Sequence, residues 1–241
     1  MHEPCQLILT CEHGGNQIPP PYQRLFANAR LALESHRGWD PGALELAQYL
    51  ARRLPAPLIA ATVSRLLVEL NRSVGHPQLF SVYTERLSRE EKDHLLTQYY
   101  YPHRNRVEEA AGDDIAQGRR LVHIGVHSFT PILDGRRRDA DLGLLYDPVR
   151  PLEKAFCAAW RRAIEDAAPE LRVRRNYPYR GAADGLTTYL RRRLPTGRYL
   201  GIELEVNQAW AAGPAPNRRR MQQILGDTLP RALEAGWGHS L

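Results

Sequence analysis

Cysteine is scarce: 241 residues contain three, Cys5, Cys11 and Cys157. An odd, widely spaced set excludes a disulfide framework and a thiolate zinc site. No apolar run approaches the ~20 residues that a membrane-spanning helix needs. The opening Met1-His2-Glu3-Pro4 lacks the basic and apolar parts of a secretory leader. No membrane partner is expected, and the cytoplasm is the expected compartment. Linkers, internal repeats and low-complexity tracts are also missing. Residues 1–241 are therefore expected to form one domain, long enough to bury a substantial core.

The net charge is +6, and arginine supplies most of the excess. Clusters occur at Arg136–Arg138, Arg191–Arg193 and Arg218–Arg220. They lack interleaved aromatics and match no nucleic-acid-binding module, so nucleic acid is not an expected partner. Solvated faces, or attraction of a small anionic substrate, fit them better. The sequence leaves the oligomeric state open.

Apolar strands alternate with helical patterns, which predicts a layered α/β domain with reactive groups where strands end. Leu7–Thr10 runs into Cys11-Glu12-His13-Gly14-Gly15-Asn16, and Arg120–Val126 into His127-Ser128. Further strands are expected at Leu58–Val63, Leu66–Leu70, Asp141–Tyr146, Leu171–Val173 and Tyr199–Val206. Helices are expected from an Asp40 N-cap and Pro41 to about Arg53, after Ser88, over Tyr99–Ala111, Leu152–Ala167 and Arg219–Ala235.

His13 and His127 each end a buried strand. Two such imidazoles can bind zinc, and one carboxylate would complete a hydrolytic site. Asp40, Glu12 and Asn16 are the candidates for that third position. Glu12 should face away from His13 in an extended segment, and Asn16 is a poor zinc ligand. His123 shares the face of His127 but lies about 13 Å deeper, as a hydrogen-bonded core histidine would. Glu203 and Glu205 put two carboxylates on one face of an apolar strand, where one could serve as general base. Asn71-Arg72 offers an amide and a guanidinium fork for a substrate carboxylate, with Arg65 a further candidate. Cys11, beside the His13 turn, is an alternative reactive thiol.

Taken together, Cys11–Asn16, Ser35–Ala43, Ser64–Ser73, His127–Pro131, Ala140–Pro148, Asn176–Tyr179, Asp184–Thr188 and Gly201–Gln208 resemble the N-formylglutamate amidohydrolase family, in order along nearly the whole chain. That family is similar in fold to the zinc carboxypeptidases. The resemblance implies a phosphorylase/hydrolase-like three-layer α/β/α sandwich with a mixed, mostly parallel sheet and one zinc ion per chain, although another divalent metal such as iron suits the same donors. It implies His127-Ser128 as the second histidine with its following serine, Asn71-Arg72 as the carboxylate grip and Glu203-Leu204 as the catalytic glutamate. The carboxypeptidase pattern has a glutamate ligand three positions after the first histidine. Asn16 stands there, so Asp40 is preferred by elimination.

The expected function is hydrolysis of the amide bond of a small anionic N-acyl amino acid, first N-formylglutamate. His13, Asp40 and His127 are the expected metal ligands and Glu203 the base. Asn71, Arg72 and Arg65 would bind substrate, and Glu205 and Ser128 would support from behind. Another N-acyl or N-formimidoyl amino acid, or a peptide-like amide from cell-wall turnover, is an alternative substrate. A non-catalytic module that binds anions or nucleic acid is the alternative of a different class.

Overall fold

The strand Arg120–Phe129 is buried along nearly its whole length, which places it inside a sheet covered on both faces. In the computed structural model, which describes residues 5–237, the strands are β1 (Cys5–Cys11), β2 (Leu58–Ala60), β3 (Arg120–Phe129), β4 (Ile132–Leu133), β5 (Arg136–Arg137), β6 (Leu142–Leu145), β7 (Val173–Arg175) and β8 (Tyr199–Asn207). Six of them form one sheet in the order β2-β1-β3-β8-β6-β7, and β4 pairs with β5 in a separate hairpin. The β2-β1-β3-β8 block is parallel, and β6 runs antiparallel to β8. The chain therefore adopts the expected α/β arrangement with a mixed, mostly parallel sheet between helices. The start expected to lack a leader, residues 1–4, lies outside the described residues. Among the described residues no helix is long and apolar enough to cross a membrane.

Alternation divides each central strand between two layers. Leu9, Val122, Ile124, Leu200 and Ile202 pack with the helices Ala43–Arg53, Pro151–Ala167 and Ala215–Trp237. Ile8, Leu121 and Tyr199 face the other way, against Val107 and Ala111 of Tyr101–Ala116 and Leu186 and Leu190 of Leu186–Arg191. The first face is apolar over Val122–Val126 of β3 and Leu200–Val206 of β8, with Arg120 and Ser128 at the two ends of β3. The second carries His123, His127, Glu203 and Glu205, so these four polar groups share one side of the sheet.

Several local expectations are corrected. Leu66–Leu70 is a buried turn segment, with its side chains divided between two small core clusters. Its backbone groups pair locally or with another loop, as in Leu67 N–H to Ser64 O and Glu69 N–H to Leu79 O, so no ladder forms. Asp40 does not cap the next helix. That helix starts at Ala43 behind Gly42, whose φ of 81° suits glycine. A Cβ on Gly42 would lie 2.0 Å from the Ala211 carbonyl oxygen. Asp40 is thereby left to point elsewhere. The Ser88 helix has the expected cap, a full capping box with Glu91. It passes through a π-helical stretch, Leu96–Tyr100, into a helix with Pro102 in its first turn, where proline is tolerated. Of the cluster Arg191–Arg193, Arg191 is buried, donating to Glu153 Oε1 at 2.9 Å, so it is no solvated face.

His123 is the hydrogen-bonded core histidine expected, between Thr10 Oγ1 at 2.9 Å and Tyr199 Oη at 2.8 Å. Burial, reinforced by nearby cationic groups, lowers its pKa to about 4. An unfolded imidazole takes its proton near pH 6.5, so below that pH the unfolded state holds more protons than the folded state. Stability contributed by His123 is present above about pH 6.5 and is lost as pH falls towards about 4. Between about pH 7.5 and about pH 5 the loss is on the order of 2 kcal/mol. Urea unfolding of His123→Gln should show an acid slope shallower by that amount than wild type. Parallel slopes in the two proteins would remove His123 as the cause.

Candidate active site

β1 ends at Cys11, and the chain then turns sharply, so strict alternation stops where the polar residues begin. Gly14 and Gly15 lie so close to the backbone of Ala61 and Thr62 that a Cβ on either would come within 2.8 Å and 2.5 Å of a carbonyl oxygen. This turn delivers His13, and the end of β3 delivers His127. Their ring centroids lie 5.1 Å apart. Asp40 arrives from the loop before the Ala43–Arg53 helix, tied to the turn by its N–H on the His13 carbonyl oxygen at 2.9 Å.

Asp40 Oδ2 lies 3.2 Å from His13 Nδ1 and 3.0 Å from His127 Nδ1. One ligand atom from each of these three buried residues falls within 4.8 Å of the others, so the group could hold a metal ion. The outward nitrogens support this. His13 Nε2 contacts Glu69 Oε1, and His127 Nε2 lies 3.2 Å from Glu12 Oε2. The Glu69 carboxylate fixes the His13 tautomer and leaves Nδ1 for the centre, as metal-ligating histidines require, while Glu12 stands behind His127 as a charge contact, with Nε2 outside hydrogen-bond geometry. Two imidazoles and one carboxylate, each imidazole backed by its own acid, fit a divalent cation.

The charges are mutually arranged. Burial alone would raise the pKa of Asp40 and Glu12, but the imidazoles around them hold both well below the usual carboxylate range. Burial alone would lower His127, but Asp40 and Glu12 hold it well above an ordinary histidine. Glu69 is held low against burial by Arg65 and His13. Arg65, expected as a further substrate grip, donates to Glu69 Oε2 at 2.7 Å and to Asp40 Oδ1 at 3.2 Å. It lines the cavity, yet its donors neutralise two buried acids. Burial, with Glu12 and Asp40 nearby, raises Cys11 well above an ordinary thiol, so the reactive-thiol alternative loses its thiolate.

These groups open into a cavity of about 420 Å³ that also exposes Asn71, Arg72, Ser128, Glu203 and Glu205. Asn71 sits between two partners: Nδ2 donates to Glu203 Oε1 at 3.2 Å, and Oδ1 accepts from the Leu186 N–H at 2.6 Å. Its amide therefore holds Glu203, where a substrate grip was expected. Arg72 donates to the Asp184 carbonyl oxygen, and its own carbonyl accepts from Tyr100 Oη at 2.8 Å. Asp184 in turn accepts from the Ser73 N–H at 2.8 Å. The Ser128 N–H lies 3.4 Å from Asp40 Oδ2, and its hydroxyl donates to Pro41 O at 2.8 Å.

Glu205 departs from expectation. It was expected to support the site from behind, but its buried Oε2 has no hydrogen-bond partner. Burial raises its pKa to about 8, and Asp40 and Glu203 add to the rise. In β8 it stands beside His127 of β3 and Gly143 of β6, neither of which brings it a guanidinium. Asn16 turns away to donate to Leu33 O at 3.1 Å. Glu12 points to His127 and also lies 3.4 Å from His103 Nε2. Its expected turn away from His13 holds, but that direction brings it behind the other histidine. Glu69 carried a signal in the sequence, an acid inside the run Leu66-Leu67-Val68-Glu69-Leu70.

Fold and site together define an α/β protein with a candidate metal centre at the strand ends, flanked by a half-buried glutamate and an arginine. The chain belongs to the N-formylglutamate amidohydrolase family, whose model matches residues 5–211. It is similar to the crystal structure of gene product Atu2144 from Agrobacterium tumefaciens, at 30% identity and a TM-score of 0.82 over 95% of this chain and 90% of that one. It shares its fold with the N-formylglutamate amidohydrolase from Ralstonia eutropha JMP134, at 19% identity and a TM-score of 0.70 over 99% of this chain and 97% of that one. No curated protein matches it.

Proposed function

We propose that the whole chain acts as one metal-dependent amidohydrolase that cleaves N-formylglutamate to formate and glutamate. The observation that carries the reading is the pair of carboxylate-backed histidines meeting Asp40 beside Glu203, in a member of this family. His13 Nδ1, His127 Nδ1 and an Asp40 oxygen would hold one zinc ion per chain. Zinc, when bound, polarises an amide carbonyl and lowers the pKa of water.

The remaining chemistry belongs to the protein. Glu203 takes a proton from the attacking water and delivers it to the departing nitrogen. Water thus adds across the carbon–nitrogen bond, which breaks to give a carboxylate and an amine. Asn71 and Thr187, the latter 3.4 Å from Glu203 Oε1, keep that carboxylate in one orientation. Arg72, anchored through Asp184 and Tyr100, presents its guanidinium to the substrate's α-carboxylate. Arg65 balances the charge of Asp40 and Glu69. The cavity volume lies within the ~300–1,000 Å³ of small-molecule pockets. No nucleic-acid partner is part of this reading.

Purified protein loaded with zinc should release formate from N-formylglutamate. A strong chelator should abolish that activity and added zinc restore it. Formate release that survives complete metal removal would refute the metal-dependent reading. Absence of release from the loaded enzyme would refute the substrate.

A further inference from the structure

Arg138 has no place in the reaction as described, yet the fold builds a site around it. It follows the β4–β5 hairpin, whose turn residues Asp134 and Gly135 have φ of 50° and 73°. Both are left-handed, as a two-residue Asp-Gly hairpin turn requires. The Arg138 N–H donates to Pro131 O at 2.8 Å and pins the base of the hairpin. The guanidinium carbon lies 5.7 Å from the centre of the Phe129 ring and 5.1 Å from that of Tyr179. Nη2 donates to Tyr179 Oη at 3.1 Å. Backbone, aromatic rings and hydroxyl thus hold the group in one position on the cavity wall.

Its other nitrogen is the informative one. Arg138 Nη1 is buried and has no hydrogen-bond partner. A charged donor removed from water without an acceptor carries a desolvation cost that a bound anion would relieve. The other arginines of the cavity differ. Arg65 already has two carboxylates, and Arg72 donates to the Asp184 carbonyl oxygen. Arg180 is exposed to solvent. Arg138 has no carboxylate partner among the described residues, and it projects from a different loop than Arg72.

We propose that Arg138 binds a second carboxylate of the substrate, which makes the site selective for N-acyl derivatives of dicarboxylic amino acids. This rests on the amidohydrolase reading above and adds a residue for the side-chain carboxylate. A planar fork with a free Nη1 edge suits a carboxylate.

The test compares kcat/KM for N-formylglutamate and N-formylglutamine, which differ in that one charge, in wild type and Arg138→Gln. Wild type should prefer the glutamate by about 10- to 100-fold, the range of a charge-assisted contact. In Arg138→Gln the preference should shrink to within about 3-fold. The same preference in both proteins overturns the proposal. Arg138→Lys, which keeps the charge but not the fork, should fall between them and serves if the glutamine variant does not fold. Thermal stabilisation by glutarate and by butyrate gives a readout independent of turnover. Glutarate should stabilise wild type more than butyrate does, and Arg138→Gln should lose the difference. If no formyl compound is hydrolysed but glutarate still distinguishes the proteins, the amidohydrolase reading fails and the anion site stands. Equal glutarate shifts in both proteins overturn the anion site, whatever the hydrolysis.

Discussion

Glu203→Gln should fold, bind metal as wild type does, and turn over N-formylglutamate about 10³-fold more slowly, within the usual contribution of a general acid–base group. The substitution is nearly isosteric. The glutamine carbonyl oxygen can still accept from Asn71 Nδ2 and Thr187 Oγ1, the contacts that position Glu203 Oε1. What is lost is the ability to take and return a proton. KM should change little, because the substrate carboxylates are assigned to arginines on other loops. Gly185 keeps the space open: a Cβ there would lie 3.0 Å from Asn71 Oδ1 and 3.2 Å from Glu203 Oε1. Stopped assays of kcat with parallel metal analysis check the prediction. Turnover at the wild-type rate would end the general-base assignment. A parallel loss of metal would show that Glu203 acts on the centre itself.

Asp40→Asn should weaken zinc binding by more than about 10²-fold, because losing a supporting partner alone already costs 10- to 100-fold. Asp40 is the group on which the cluster converges. Its Oδ2 meets both imidazoles, its Oδ1 meets Arg65, and the Ser128 N–H approaches from the end of β3. Asparagine keeps the volume and an acceptor but lacks the charge that makes the group a ligand. Glu12→Gln, which acts only through His127 Nε2, should cost less. Competition against a chromophoric chelator ranks the three proteins. Wild-type affinity in Asp40→Asn would remove Asp40 from the metal centre, and a larger loss in Glu12→Gln would reverse their roles.

Much of this was legible in the sequence, because two features are local. The apolar runs that end in His13 and His127 mark buried strands whose ends carry polar groups. On β8 the signal is a pair of acids, Glu203 and Glu205, on one face inside an otherwise apolar strand. Leu66–Leu70 shows the limit of the apolar-run signal. An apolar run is equally compatible with a strand and with a buried turn, and its partners, including the Leu79 carbonyl, come from another loop. Asp40 shows the limit at a helix start. Asp-Pro-Gly reads as a cap, but Gly42 in the left-handed region takes the position before the helix and frees the acid. The basic segment after β3 concealed a hairpin, although Asp134-Gly135 was the signal for it.

The sequence by itself determined the layered α/β fold, the two strand-end histidines and the acid on β8, since each follows from periodicity and composition within one segment. Only the tertiary structure decided which carboxylate meets both imidazoles, that Glu12 and Glu69 stand behind the rings, that Arg65 is balanced by two acids, and that Arg138 keeps a free nitrogen. Those facts depend on where four separate loops meet at the ends of β1, β3 and β8. Electrostatic pairing acts through space over a few ångströms, between residues as far apart as Glu12 and His127, and no local pattern in the chain encodes that distance.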